Sequence, residues 1–388
     1  MRKIKIFDTT LRDGEQAPDY KMSKEGKIVI AKKLDEMGVD VIEAGFAGSN
    51  LKDSETIKDI AKNVKNAIVV SLSRCKESEI DVAYEAVKDA IKPGIHVFIA
   101  TSDIHIKDKL HSTREEVMET VRRCVSYAKS KCNYIEFSLE DATRTDKDYA
   151  CKVIDTAIEA GANVINIPDT VGFIIPTEFA EFLTYIKKHS RINEVEMSVH
   201  CHNDLGLATS NTLTAIMCGA NQVECTINGI GERAGNTALE QVVAVLKTRG
   251  DLFQAYTDIE TKRIKDISDA VIKVTGNSVQ KNYPIVGFNA FRHEAGIHQD
   301  GIIKNPETYE IMNPKDYGVD VDGIVLGIHS GKSAFIRKII NMGYNPDNYD
   351  ILEVVRLSKT FFEVNDSITD EDFCKILSNS KKKVLVKE

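Results

Sequence analysis

The chain is predicted to be α/β: a (β/α)8 TIM barrel with a C-terminal helical lid and extension subdomains. Eight short β-branched apolar runs alternate with amphipathic stretches long enough for three or four helical turns. Polar and ionisable residues gather where each run gives way to the next connection, which in a barrel is the catalytic rim. The 388 residues suit a barrel of about 250 residues plus an appendage.

Residues 4–7 form the first apolar run, and an amphipathic stretch follows at 23–37. The alternation continues with runs at 39–46, 67–72, 96–100, 134–138, 164–167, 196–199 and 222–227. Between them lie helical stretches at 54–65, 77–91, 113–131, 147–160, 177–189 and 207–219. Ser112 with Glu115, or Thr113 with Glu116, has capping-box spacing at the start of one helix. Gly38, Gly161 and Gly219 follow helices and supply the left-handed cap that turns the chain back. An open doubly wound sheet is the alternative, but its first turn is Gly-rich, and here that turn reads DTTLRDGEQ with one glycine. The pattern changes near Leu252. Residues 1–262 are therefore expected to be the barrel and 263–322 a linker and lid. Residues 323–388 are expected to be a small helical subdomain.

Charge is well mixed at net −8, with no basic stripe of the kind nucleic acid requires. The run Lys381-Lys382-Lys383 reads as a solvated tail. Eight scattered cysteines form no CxxC pair, which argues against a zinc ribbon or redox motif and for reduced thiols in the cytoplasm. The N-terminus, MRKIKIFDTT, is too short and too charged for a signal peptide. No apolar stretch approaches the roughly 18 residues that span a bilayer. Small-molecule partners are expected, not nucleic acid or a membrane.

His200 and His202 are two apart on a strand, so their imidazoles face the same side. With Asp13 from the first loop they make a two-His, one-carboxylate metal set, and Asn236 could add a carbonyl oxygen. Two satisfied structural histidines are the plain alternative; the strand-end position and the matching Asp13 loop favour the metal. Donor softness leaves Mn²⁺, Zn²⁺ and Mg²⁺ open. Arg12 beside Asp13 would hold a developing alkoxide, or else pair with Glu15 or Glu43. Glu43 and Glu140 read as groups that orient ligands. The loop GIGERAGN at 229–236 fits either a phosphate cradle or a tight turn. His293, His298 and Tyr309 fall outside the barrel pattern, in a segment read as a lid.

The motifs DTTLRDGEQ at 8–16, HCHNDLGL at 200–207 and NGIGERAGN at 228–236 resemble those of a metal-dependent barrel superfamily. It comprises 2-isopropylmalate, homocitrate and citramalate synthases and 3-hydroxy-3-methylglutaryl-CoA lyase. SLSR at 71–74, FIATS at 98–102, EFS at 136–138, NIPDTVG at 166–172 and HEAGIHQDG at 293–301 are most similar to the 2-isopropylmalate synthases. The resemblance implies Asp13, His200, His202 and Asn236 around a divalent metal, Mn²⁺ ahead of Zn²⁺ or Mg²⁺, with a monovalent cation such as K⁺ as a further cofactor. It implies Arg12 and Thr170 on a 2-oxo acid, Glu43, His96 and Ser138 in the same pocket, and Glu140 near the substrate. His298 and Tyr309 would assist deprotonation of acetyl-CoA. The implied reaction condenses acetyl-CoA with 2-oxoisovalerate and water to 2-isopropylmalate and CoA, the first committed step of leucine biosynthesis, in a homodimer. A homocitrate, citramalate or Re-type citrate synthase, or a lyase of the 3-hydroxy-3-methylglutaryl-CoA type, would fit the same metal motifs. A non-catalytic paralogue is the rival from another class, and the intact metal positions argue against it. Two departures matter. Ala17-Pro18-Asp19-Tyr20 replaces the usual Pro-Gly, so Tyr20 is expected to narrow or alter the acceptor pocket, which leaves the acceptor's identity open. The chain also stops where long members begin a regulatory domain, so no leucine feedback through such a domain is expected.

Overall fold

The structure is a computed structural model and describes residues 1–382. Eight parallel strands close into a barrel: β1 (Lys5–Asp8), β2 (Val41–Glu43), β3 (Ile68–Arg74), β4 (Pro93–Ala100), β5 (Tyr134–Glu140), β6 (Val164–Asp169), β7 (Glu196–Cys201) and β8 (Gln222–Cys225). Closure is direct, since β1 pairs with β2 on one side and with β8 on the other, Asp8 standing opposite both Ile42 and Cys225. Each of the eight apolar runs became one strand. β4 starts earlier than its apolar run because Pro93 and Gly94, ordinarily strand breakers, stand opposite Val69 and Val70. A Cβ on Gly94 would come within 2.7 Å of the Tyr134 ring, so the glycine makes room for that side chain.

The helices between strands are α1 (Lys24–Met37), α2 (Leu51–Asn63), α3 (Glu77–Val87), α4 (Arg114–Lys131), α5 (Lys147–Glu159), α6 (Pro176–His189) and α7 (Ala208–Met217). α8 (Leu239–Phe253) follows β8. Of the two capping-box spacings, Thr113 with Glu116 is the one that forms: Thr113 caps α4 and the Glu116 carboxylate returns to the Thr113 N–H at 3.1 Å. Gly38, Gly161 and Gly219 have φ of 91°, 107° and 108°, the left-handed conformation expected after a helix.

Alternation along the strands divides the barrel in two. On β5, Ile135, Phe137 and Leu139 are buried apolar residues, while Glu136 reaches Gln222 of β8 at 3.0 Å. Those strands are not neighbours, so the bond crosses the interior. The barrel axis is therefore polar, lined by Glu43, His96, Glu136, Ser138, Ser198, His200, Gln222 and Glu224, all buried.

The chain divides into two compact units, 1–279 and from 280 onward. Helix α9 (Ile264–Thr275) lies in the first unit, where it packs on α1. The segment 263–322 is thus cut within its expected span, because the apolar face of α9 is buried in the barrel unit. In the second unit, α10 (Gly296–Lys304) precedes three helices, α11 (Lys332–Asn341), α12 (Ile351–Phe362) and α13 (Asp370–Asn379). Their core is Phe335, Ile339, Tyr349, Val354, Phe373, Ile376 and Leu377. The basic run begins pinned rather than loose: Lys381 bridges Tyr349 and the Lys382 N–H donates to the Asn348 carbonyl at 3.0 Å. Lys383 lies outside the described residues. Among the described residues, no helix is long and apolar enough to cross a membrane.

Candidate active site

The strand ends surround a cavity of about 330 Å³. Its lining includes Arg12, Asp13, His96, Ser138, Glu140, Thr170, His200 and His202, eight of the residues singled out from the sequence. β7 delivers His200, and His202 follows on the same side just beyond the strand. Their Nε2 atoms stand 3.2 Å apart, and a carboxylate oxygen of Asp13 lies within 4.8 Å of both imidazoles. Two imidazole nitrogens so close require a proton or a cation between them. Burial disfavours charge on His202 and His200 adds to this, bringing it down to about 3, so its ring is neutral and able to ligate. Burial would raise the Asp13 carboxyl, but Arg12 and the two histidines overcome it and keep it ionised well below the carboxylate range. Asn236 stands behind Asp13 rather than on the cavity, its Nδ2 donating to Asp13 Oδ1 at 2.8 Å. Its Oδ1 is buried without a hydrogen-bond partner. A neutral imidazole, an ionised carboxylate and an unsatisfied amide oxygen fit a divalent cation.

Arg12 is shared between two acids, its NH1 on Asp13 Oδ2 at 2.5 Å and its Nε on Glu43 Oε2 at 2.6 Å. Glu15 instead pairs with the buried Lys27. Glu43 is fully buried and does not line the cavity. Its Oε2 also accepts from Thr9 at 2.7 Å, and its Oε1 meets His96 Nδ1 at 2.8 Å. With both oxygens occupied, Glu43 orients Arg12 and His96 instead of touching a ligand, which corrects its expected place among substrate contacts. Burial opposes charge on both partners, yet Arg12 and His96 bring Glu43 down to about 2, and Glu43 lifts His96 to about 9. His96 is therefore an imidazolium at neutral pH, and its Nε2 donates to Ser138 Oγ at 2.7 Å. Asn166 Nδ2 donates to the same oxygen at 2.8 Å, leaving the Ser138 hydroxyl proton to point elsewhere.

Thr170 Oγ1 accepts from the Asp141 N–H at 2.9 Å, so its proton too is free to donate. Glu140 is held by Lys109 at 2.5 Å. Tyr20 does not line the cavity, and its N–H donates to the Ala17 carbonyl at 3.2 Å. The 229–236 loop is a tight turn: at Gly235, with φ of 91°, a Cβ would come within 2.0 Å of the Gly229 carbonyl oxygen. His298 and Tyr309 belong to the second unit, where their rings lie 4.3 Å apart between centroids.

Sequence reading missed Glu224, whose Oε2 meets His200 Nδ1 at 2.7 Å. Its signal was a charged residue inside an apolar strand, which burial allows only with a partner. Glu232 and Arg233 also line the cavity, although they were quoted only as parts of a loop motif.

Comparison with known proteins bears on the fold and the family. The HMGL-like family model covers residues 3–271, and a model described as homocitrate synthase post-HMGL domain-like covers residues 285–366. The closed barrel is thus an HMGL-like one. The HMG-CoA lyase structure from Bacillus subtilis shares that fold, with a TM-score of 0.62, 18% identity, and coverage of 73% of this chain and 97% of the lyase. Among curated relatives, the 2-isopropylmalate synthase of Bacillus velezensis is 47% identical over 98% of this chain and 74% of its own length. Those of Clostridium kluyveri and Dictyoglomus turgidum are both 49% identical, over 97% and 98% of this chain and 74% and 75% of their own lengths. The chain belongs to the 2-isopropylmalate synthase family.

Proposed function

We propose that this chain condenses acetyl-CoA with 2-oxoisovalerate and water to form 2-isopropylmalate and CoA, the first committed step of leucine biosynthesis. The observation that supports the site reading is the convergence of Asp13, His200 and His202 at the mouth of the cavity. A divalent ion there, which we take to be Mn²⁺ ahead of Zn²⁺ or Mg²⁺, would supply Lewis acidity toward the ketone of the acceptor. Asp13, His200, His202 and Asn236 would hold it; a monovalent cation such as K⁺ is an additional cofactor in this reading.

Arg12 presents a permanent positive charge to the acceptor and its developing alkoxide. The free hydroxyl protons of Thr170 and Ser138 orient the 2-oxo acid, and His96 keeps Ser138 in place. A base takes a proton from the acetyl methyl, the resulting carbanion forms the C–C bond to the ketone carbon, and the alkoxide is protonated. Water then adds to the thioester, the C–S bond breaks, and CoA leaves as its thiol with a new carboxylate on the product. His298 and Tyr309 assist the proton removal and Glu140 acts near the substrate. We place the active species as a homodimer in the cytoplasm.

Release of CoA thiol by the Mn²⁺-loaded protein is the test, with 2-oxoisovalerate, 2-oxoglutarate, pyruvate and oxaloacetate offered separately. The expected result is that 2-oxoisovalerate has the highest kcat/KM. A preference for another acceptor would reassign the chain to a homocitrate, citramalate or Re-type citrate synthase, and cleavage of 3-hydroxy-3-methylglutaryl-CoA would make it a lyase.

A further inference from the structure

Beneath the metal ligands the barrel interior holds acids that the reaction above does not use. Glu224 is buried on β8 with Oε2 on His200 Nδ1, and its Oε1 has no hydrogen-bond partner among the described residues. A buried carboxylate oxygen left unsatisfied carries a full desolvation penalty. An oxygen of Glu224, an oxygen of Glu136 and a ring nitrogen of His96 lie within 4.8 Å of one another. His96 has nothing further to give, since Nδ1 is engaged by Glu43 and Nε2 by Ser138. Within this cluster Glu136 is the remaining source of a proton. It is fully buried and accepts from Gln222 Nε2 at 3.0 Å on both oxygens and from the Tyr134 hydroxyl at 2.9 Å. Burial, chiefly, raises its carboxyl to about 7, against the pull of His96.

We propose that Glu136 and Glu224 form a positioning relay for the metal site. Glu136, as a neutral acid, donates to the free oxygen of Glu224 through one water, and Glu224 fixes the ring of His200 so that Nε2 faces the ion. The proposal rests on the reading of His200 as a ligand. Outer carboxylates of this kind set ring orientation and ligand basicity. The relay adds a second acid that keeps the first one aimed.

The test is Mn²⁺ binding by calorimetry on the full chain stripped with chelator, with folding followed by circular dichroism. Glu224→Gln is expected to weaken Mn²⁺ binding about 10–100-fold. Glu136→Gln, which keeps a neutral donor of the same shape, should bind close to wild type, while Glu136→Leu weakens binding about tenfold. Infrared spectra of wild type should show a carboxylic-acid carbonyl band that Glu136→Gln removes. Undiminished binding by Glu136→Leu overturns the relay, as does equal loss in Glu136→Gln and Glu136→Leu. Two Mn²⁺ ions per wild-type chain would instead make the His96–Glu136–Glu224 cluster a second cation site. If Glu136→Leu does not fold, the infrared band decides, and its absence overturns the proposal. Wild-type protein that takes up no Mn²⁺ contradicts the metal reading itself, and the band still reports whether Glu136 holds its proton.

Discussion

His96 illustrates how one side chain couples stability to chemistry. It is buried between Glu43 and Ser138, and it is held protonated up to about 9 against an ordinary value of 6.5. A histidine whose folded pKa is raised stabilises the fold fully below its unfolded pKa and loses that contribution as pH rises through the folded one. The melting-temperature gap between wild type and His96→Gln should therefore shrink as pH rises from 6.5 to about 9. A gap that stays constant over this range would mean that His96 is neutral in the folded protein. At this level the sequence disclosed residue types but not their division of labour. Asp13, His200 and His202 could be read from spacing because a strand places i and i+2 on one side. Glu43 was legible as a partner for Arg12, but only the fold reveals that Thr9 and His96 also occupy its oxygens.

Strands and helices were the most legible features. Each β-branched run became a barrel strand and each amphipathic stretch a helix, because the two periodicities differ and burial enforces both. Boundaries were harder where special residues intervene, as at Pro93–Gly94 in β4. The loop between β8 and α8 is sensitive to substitution. Asn236 N–H donates to the Gly229 carbonyl at 2.9 Å across a turn that Gly235 makes in a left-handed conformation. Gly235→Ala sets a Cβ against that carbonyl oxygen and should lower stability by about 1–3 kcal/mol in denaturant titration. It should also weaken metal binding, since the same turn carries Asn236 to Asp13. Retention of both properties would show that the loop relaxes without disturbing the site.

The division into two units separates the roles assigned to them. Every proposed metal donor lies in residues 1–279, whereas His298 and Tyr309 lie beyond it. A fragment ending at Val279 should fold, bind one divalent ion with near wild-type affinity, and release no CoA from acetyl-CoA with any 2-oxo acid. Turnover by that fragment would remove His298 and Tyr309 from the reaction. The cut after Val279 was not legible beforehand, because α9 has an amphipathic pattern that suits either unit and only its buried packing assigns it. The metal position underlies the whole functional reading, and anomalous diffraction at the manganese edge from Mn²⁺-soaked crystals locates it. One peak bound by Asp13, His200 and His202 is the predicted result. A peak confined to His96, Glu136 and Glu224, or none at the cavity mouth, would contradict it.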